Sequence, residues 1–212
     1  MDQVLALKCT ICDETYDVDE VEYVCPKHGD EGILDVIHDY DAIAQQIDPE
    51  ALLGTPIRSM WRYLPLLPMN QEMTQEMIEG TVVATVGGTP LYPAQRLATE
   101  LGLQSLWVKD ESRQPTASLK DRASAIALVK AREQGFDVIT TASTGNAAAA
   151  LSGLCAAIDQ PNVIFVPQSA PEAKIAQLMA YGSRVLLVAG TYDQAFELCL
   201  EVARAFGWYN RN

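Results

Sequence analysis

The chain has 212 residues, room for one or two modest domains, and its 49 % hydrophobic and 20 % charged content is ordinary for a globular protein. Acidic residues outnumber basic ones 28 to 15, and the formal charge of −13 argues against nucleic acid or an anionic membrane as partner. No apolar run approaches the roughly 18 residues of a membrane span, and Met1-Asp2-Gln3-Val4 lacks the basic start of a secretory signal. Of the five cysteines, three cluster near the start, while Cys155 and Cys199 sit in apolar helical patterns as core residues. That usage fits a reducing cytoplasm better than a disulfide framework.

Residues 1–40 read as a small module. Cys9-Thr10-Ile11-Cys12 and Cys25-Pro26-Lys27-His28 each hold two residues between their outer pair, and twelve residues separate the pairs. Zinc takes thiolate and imidazole ligands at such spacing, so Cys9, Cys12, Cys25 and His28 form a candidate structural zinc site in a zinc-ribbon-like knuckle. A module with so few apolar residues gains from a staple of this kind. With four protein ligands, no position is left open for catalysis at the metal. Between the pairs, residues 15–24 predict a short hairpin, with Tyr16, Val18, Val21 and Tyr23 loosely alternating. His38, beside Asp39 and Asp41, reads as a solvated loop residue.

Residues 41–104 read as a connecting arm leading into a larger domain. Asp48-Pro49 and Thr55-Pro56 mark turns, because proline disfavours helix at the preceding residue. The polar, Met-rich stretch 71–79 predicts a solvated turn of helix, and Gly87-Gly88-Thr89-Pro90 is a turn signal.

From residue 80 the pattern becomes α/β, and residues 105–190 read as a small α/β domain. Strands are predicted at 106–109, 138–141, 163–167 and 184–188, the last two being short apolar runs of the kind buried in parallel sheets. Helices are predicted at 93–101, 119–134, 147–157, 170–181 and 192–206, and Gly102, Gly135 and Gly207 stop three of them. Strands alternating with helices predict a parallel sheet flanked by helices on both faces. Residues 191–212 open a further part of the fold.

Two segments carry chemistry. The first is Lys109-Asp110-Glu111-Ser112-Arg113-Gln114-Pro115-Thr116-Ala117-Ser118-Leu119-Lys120-Asp121-Arg122, in which Lys120 opens an apolar helix after a Pro-Thr turn. A lysine so placed is a candidate Schiff-base nucleophile. The second is Thr141-Ala142-Ser143-Thr144-Gly145-Asn146-Ala147-Ala148, a loop between a strand and an alanine-rich helix. Ser and Thr suit a helix cap there, and free N–H groups at a helix start bind anions.

Together these segments resemble the pyridoxal-phosphate enzymes of the tryptophan-synthase-β type (fold type II). Within that group the likeness is strongest to the threonine synthases, supported by Met60-Trp61-Arg62-Tyr63, Leu66-Leu67-Pro68, Gly87-Gly88-Thr89-Pro90-Leu91 and Tyr181-Gly182-Ser183. The resemblance implies that Lys120 binds pyridoxal 5'-phosphate and that Asn146 hydrogen-bonds the cofactor's ring hydroxyl. It further implies that Ser143, Thr144 and Gly145 hold the substrate carboxylate and that Thr89 contacts substrate at the entrance. Four positions depart from the pattern. Gln114 and Leu119 stand where asparagine and phenylalanine are common, both as packing positions. Ala147 replaces the hydroxyl residue frequent in enzymes acting on phosphohomoserine, and His28 stands where many relatives have a fourth cysteine.

The implied reaction converts O-phospho-L-homoserine and water to L-threonine and phosphate in a cytoplasmic enzyme. The expected partners are an amino-acid substrate and a second copy of the chain. A serine/threonine dehydratase or a cysteate-synthase-like enzyme would share Lys120 and Asn146. Enzymes of this type continue for roughly as long again, and no Gly-rich phosphate cradle is visible here. The chain is therefore expected to be the N-terminal half of a longer enzyme, and inactive by itself.

Overall fold

The computed structural model describes residues 3–21 and 24–212. The chain divides into two compact units, Met1–Pro56 with Arg62–Gln71, and Ile57–Trp61 with Glu72–Asn212.

The first unit is built on a three-stranded antiparallel sheet of β1 (Val4–Cys9), β2 (Thr15–Tyr16) and β3 (Leu34–His38), in the order β2-β1-β3. Among the described residues, no strand pairing within 15–24 makes the expected hairpin. Instead β2 pairs back onto β1, with Tyr16 opposite Leu7. The acidic stretch after it turns, Glu20 N–H donating to Asp17 O at 3.0 Å, and Val24 makes only a single bridge to Ile33. Pairing with β1 carries Tyr16 into a small core with Cys9 and Cys25, a gain that a free hairpin would not provide. Tyr23, part of the expected alternation, lies outside the described residues. His38 is not in a loop: it ends β3, and its Nδ1 is buried without a hydrogen bond.

Two short helices follow, α1 (Tyr40–Gln46) and α2 (Pro49–Gly54). Asp39 and Asp48 cap them, accepting from Ala42 N at 2.8 Å and Glu50 N at 2.9 Å. The Asp48-Pro49 turn is thus a helix start, with proline in the first turn, where its missing N–H costs nothing.

Helix α3 (Gln71–Ile78) leads into the second unit. It buries Thr74 and Ile78, so one face packs where a solvated turn was expected. Trp61, 3 % exposed, donates from Nε1 to Val83 O at 2.7 Å. Strands β4 (Leu91–Pro93) and β5 (Trp107–Lys109) form an antiparallel pair, with α4 (Gln95–Glu100) between them in sequence.

The centre of this unit is a four-stranded parallel sheet of β6 (Ile139–Ala142), β7 (Asn162–Pro167), β8 (Arg184–Val188) and β9 (Tyr209–Asn210), ordered β8-β7-β6-β9. Every residue of β6 and β7 is buried, as a strand covered on both faces requires. Helices α5 (Lys120–Glu133), α6 (Asn146–Ala157), α7 (Glu172–Ala180) and α8 (Tyr192–Phe206) connect and cover the strands. On α8 the buried residues Ala195, Cys199 and Ala203 recur every four positions, one stripe of the helix. Cys199 packs there with Ala142, Val163 and Phe165 of the sheet. Phe165 is 1 % exposed, and truncating so buried a ring costs about 3–5 kcal/mol. Helix α6 is buried along most of its length, as its alanine-rich sequence suits. The observed α7 starts two residues later than expected, with Pro171 as its cap.

Candidate active site

Lys120 is the first residue of α5. The turn before it is tightly bonded. Ala117 N–H donates to Gln114 O at 2.9 Å, and Ala117 itself has φ of 60°, a left-handed conformation rare for a residue with a Cβ. Ser118 Oγ accepts from Lys120 N at 3.1 Å. Asp121 is fully buried, and its carboxylate receives the Thr116 N–H at 2.7 Å and the Thr116 hydroxyl. Lys120 itself is exposed, and its amine has no hydrogen-bond partner among the described residues.

The loop after β6 carries the second segment. Ser143 N–H donates to Phe165 O at 3.2 Å, and Gly145 N–H donates to Ser143 Oγ at 3.2 Å. Asn146 is the first residue of α6, is exposed, and its carboxamide has no partner among the described residues. Gly145 caps the helix without a side chain, leaving the first-turn N–H groups free to receive an anion. Helices α5 and α6 pack on each other. Their C-terminal ends are joined by Arg132, which donates to Ile158 O at 2.5 Å and to Gln160 Oε1 at 2.8 Å. The two helices therefore run the same way, and Lys120 and Asn146 open them at the same end.

Thr89 is tied to the lysine segment. It is 6 % exposed; its hydroxyl donates to Glu111 Oε1 at 2.7 Å and accepts from Arg122 Nη2 at 3.3 Å. Glu111 also accepts from Gln114 Nε2 at 2.8 Å, and Gln114 Oε1 accepts the Gly87 N–H at 2.9 Å. Gln114 is therefore a polar tie rather than a packing residue, and Leu119, 56 % exposed, is not packed either. The Arg122 guanidinium, with help from Thr89 and Gln114, holds the Glu111 carboxyl well below the usual range, at about 2. Gly88 has φ of 61°, and a Cβ there would collide with the Arg58 carbonyl, so the turn demands glycine.

Sequence reasoning did not single out Asp121, Glu111 or Arg122 for these bonds, nor Tyr192 and Asn212. Tyr192 Oη donates to Ala142 O at 3.1 Å. Asn212 Oδ1 accepts from Thr141 Oγ1 at 2.7 Å and Ala142 N at 2.8 Å, bracing the strand that ends at the loop. Glu111, Asp121 and Arg122 lie within the lysine segment, whereas nothing in the sequence marked Tyr192 or Asn212.

In the first unit, ligand atoms of Cys9, Cys12, Cys25 and His28 all lie within 4.8 Å of one another. Cys25 Sγ is 3.4 Å from His28 Nδ1 and 3.9 Å from Cys12 Sγ, and Cys9 Sγ is 3.8 Å from His28 Nδ1. A tetrahedral zinc with ordinary bond lengths sets sulfur–sulfur edges of about 3.8 Å and sulfur–nitrogen edges of about 3.5 Å. These three distances match such edges, and the donor set is one that zinc takes. Burial pushes the Cys25 thiol up, but hydrogen bonds from Tyr16, His28 and the Lys27 backbone bring it down to about 6. All five cysteines are free thiols. Among the described residues no helix is long and apolar enough to cross a membrane.

A family model described as pyridoxal-phosphate dependent enzyme matches residues 82–212. The chain is 36 % identical over 198 residues to a threonine synthase of Methanocaldococcus jannaschii, covering 93 % of this chain and 46 % of the relative. It is 40 % identical over 193 residues to a threonine synthase of Methanosarcina acetivorans, covering 91 % and 44 %. Among solved structures, O-ureido-L-serine synthase matches with a TM-score of 0.57 and 28 % identity over 62 % of this chain and 43 % of that one. The processed form of threonine deaminase isoform 2 from Solanum lycopersicum matches at 0.54 and 27 %, over 66 % and 40 %. The chain spans about half the length of the curated relatives it matches.

Proposed function

The chain belongs to the pyridoxal-phosphate-dependent enzymes, and from that premise we propose that it is the lysine-bearing part of a threonine synthase. In this reading the whole enzyme converts O-phospho-L-homoserine and water to L-threonine and phosphate. The observation that carries the proposal is the pairing at one end of α5 and α6. An exposed Lys120 amine and an exposed Asn146 carboxamide, both unpartnered among the described residues, open two helices that run side by side. Similarity to two threonine synthases over more than nine-tenths of the chain supports that substrate class.

Lys120 would hold pyridoxal phosphate through its amine, and Asn146 would donate a hydrogen bond to the ring hydroxyl oxygen. When bound, the cofactor supplies an electron sink for charge developing on substrate carbon. The chain's own residues do the rest. The N–H groups of Thr144 and Asn146 would orient the substrate carboxylate at the positive end of α6, while that of Gly145 is held by Ser143 Oγ. The Lys120 amine then takes a proton from the substrate α-carbon and returns protons to neighbouring carbons. Thr89 bounds the entrance, its place fixed by Glu111 and Arg122. Cys9, Cys12, Cys25 and His28 would hold a structural zinc, with no ligand position left open for catalysis. The enzyme would work in the cytoplasm as a homodimer, a compartment in keeping with five free thiols.

A serine/threonine dehydratase is the second reading, favoured by Ala147, which offers no hydroxyl beside Asn146, and by the likeness to threonine deaminase. A cysteate-synthase-like reaction would use the same two residues. Steady-state assays on the natural-length protein separate these. Phosphate release from O-phospho-L-homoserine, matched by threonine formation, supports the first reading. A higher kcat/KM for deamination of L-serine or L-threonine, or for sulfite addition to O-phosphoserine, overturns the substrate assignment. Residues 1–212 alone are expected to turn over nothing, since their sequence carries no Gly-rich phosphate cradle.

A further inference from the structure

Gly153 stands in the interior of α6, where glycine disfavours helix. Its backbone is not in the left-handed region, so conformation does not require glycine there. Packing does. A Cβ on Gly153 would lie 2.6 Å from Thr116 Cγ2, while the next nearest atoms, of Tyr181, would be at ordinary contact distances of 3.6 and 3.7 Å. Thr116 is thus the one obstacle, four residues ahead of Lys120.

Thr116 cannot turn aside. Its hydroxyl and its N–H are both held by the carboxylate of Asp121, which is fully buried beside Lys120. Rotating the side chain to free the methyl would break the hydroxyl bond, and a β-branched residue has few other rotamers. The next residue, Ala117, is already in the left-handed conformation, so the backbone has little slack. Gly153 lies seven residues after Asn146, two helical turns along the same face.

We propose that Gly153 and Thr116 form a positioning lock: the Thr116 methyl seats on the bare backbone of α6 at Gly153, Asp121 pins it there, and the seat fixes Lys120 relative to Asn146. The lock rests on the reading of Lys120 as the cofactor lysine. Small displacements of a reacting group cost rate out of proportion to their size, which gives the lock its use.

The test is a rescue in the natural-length protein, with Gly153→Ala, Thr116→Ser, the double variant, and Lys120→Ala as control. Serine keeps the hydroxyl on Asp121 and lacks the methyl that alanine at 153 would strike. One readout is the rate at which pyridoxal phosphate forms a borohydride-reducible adduct, located by peptide mapping. The other is the thermal unfolding midpoint. Gly153→Ala should slow adduct formation at Lys120 by about 10- to 100-fold. Thr116→Ser keeps the Asp121 bond but loses the seat, so it should slow adduct formation by about threefold to fivefold. The double variant should match Thr116→Ser rather than Gly153→Ala, because it meets no clash. Wild-type kinetics in Thr116→Ser would overturn the seat. Wild-type adduct kinetics in Gly153→Ala, or a double variant as slow as Gly153→Ala, overturns the lock. Should Gly153→Ala fail to fold, a folded double variant supports the lock and an unfolded one overturns it. Absence of any adduct at Lys120 in wild type sinks the cofactor reading instead. The packing half of the lock is then read from whether the double variant restores the unfolding midpoint.

Discussion

The Arg122 guanidinium grips the Glu111 carboxylate as a fork, Nε 2.9 Å from Oε2 and Nη2 2.8 Å from Oε1. Glu111 also holds Thr89 and Gln114, so one carboxylate fastens the Gly87–Thr89 turn to the helix that Lys120 opens. Two parallel charge-assisted bonds add direction as well as strength.

This fork sets a pH dependence. The Glu111 carboxyl is lowered from 4.5 to about 2, chiefly by Arg122. A depressed folded-state value means that its stabilisation is complete above the unfolded value and is lost as pH falls through the folded one. Glu111→Gln should therefore be less stable than wild type by about 1–2 kcal/mol at pH 7, after allowance for solvent screening. The gap should narrow between about pH 4.5 and about pH 2. Denaturant unfolding of both proteins at pH 7, 5 and 3 checks this; a gap unchanged at pH 3 would show that the charge on Glu111 is not what matters.

Metal content tests the knuckle. Purified protein should carry about one zinc per chain in tetrahedral coordination. Cys12→Ser should lose most of it. Hydrogen exchange should then rise in β1 to β3 and stay unchanged in β6 and β7. Zinc-free protein with full protection over residues 4–38 would argue that the four side chains pack without a metal.

Trapping tests the lysine. Borohydride reduction of the natural-length protein with pyridoxal phosphate should label the peptide containing Lys120, and Lys120→Ala should abolish that label while leaving the unfolding midpoint within a few degrees. Labelling at Lys109 or Lys130 instead would move the cofactor site.

Trp61→Phe tests the brace under the second unit. The ring is 3 % exposed and its Nε1 satisfies the Val83 carbonyl at 2.7 Å. Phenylalanine fills most of the space but removes one of two donors to that carbonyl, which keeps the Val86 N–H at 3.2 Å, so the cost is about 0.5–1.5 kcal/mol. Equilibrium unfolding reads this directly, and no loss of stability would mean that water replaces the bond.

The sequence by itself determined the local elements of this protein and the identity of its reactive groups. The helix that opens at Lys120 was expected at 119–134 and spans Lys120–Glu133, and the strand at Arg184–Val188 was placed to the residue. Helical period, apolar strand runs and glycine stops are written within a dozen residues, so they are legible without the fold. The ligand spacing of the knuckle and the lysine and asparagine segments are local in the same sense. Tertiary structure decided which surfaces meet. Asn212 reaches Thr141 across 71 positions, and Arg122 reaches Thr89 across 33. Strand β9 has two residues and exists only because the edge of β6 is there to pair with it. Strand β2 forsook its expected hairpin for β1 because that pairing buries Tyr16 against Cys9 and Cys25. Gly153 meets Thr116 only once α6 has packed against the lysine segment. Such contacts depend on burial and on satisfying buried polar groups across the whole chain, and, the β1–β2 pairing apart, no window of a dozen residues contains both partners.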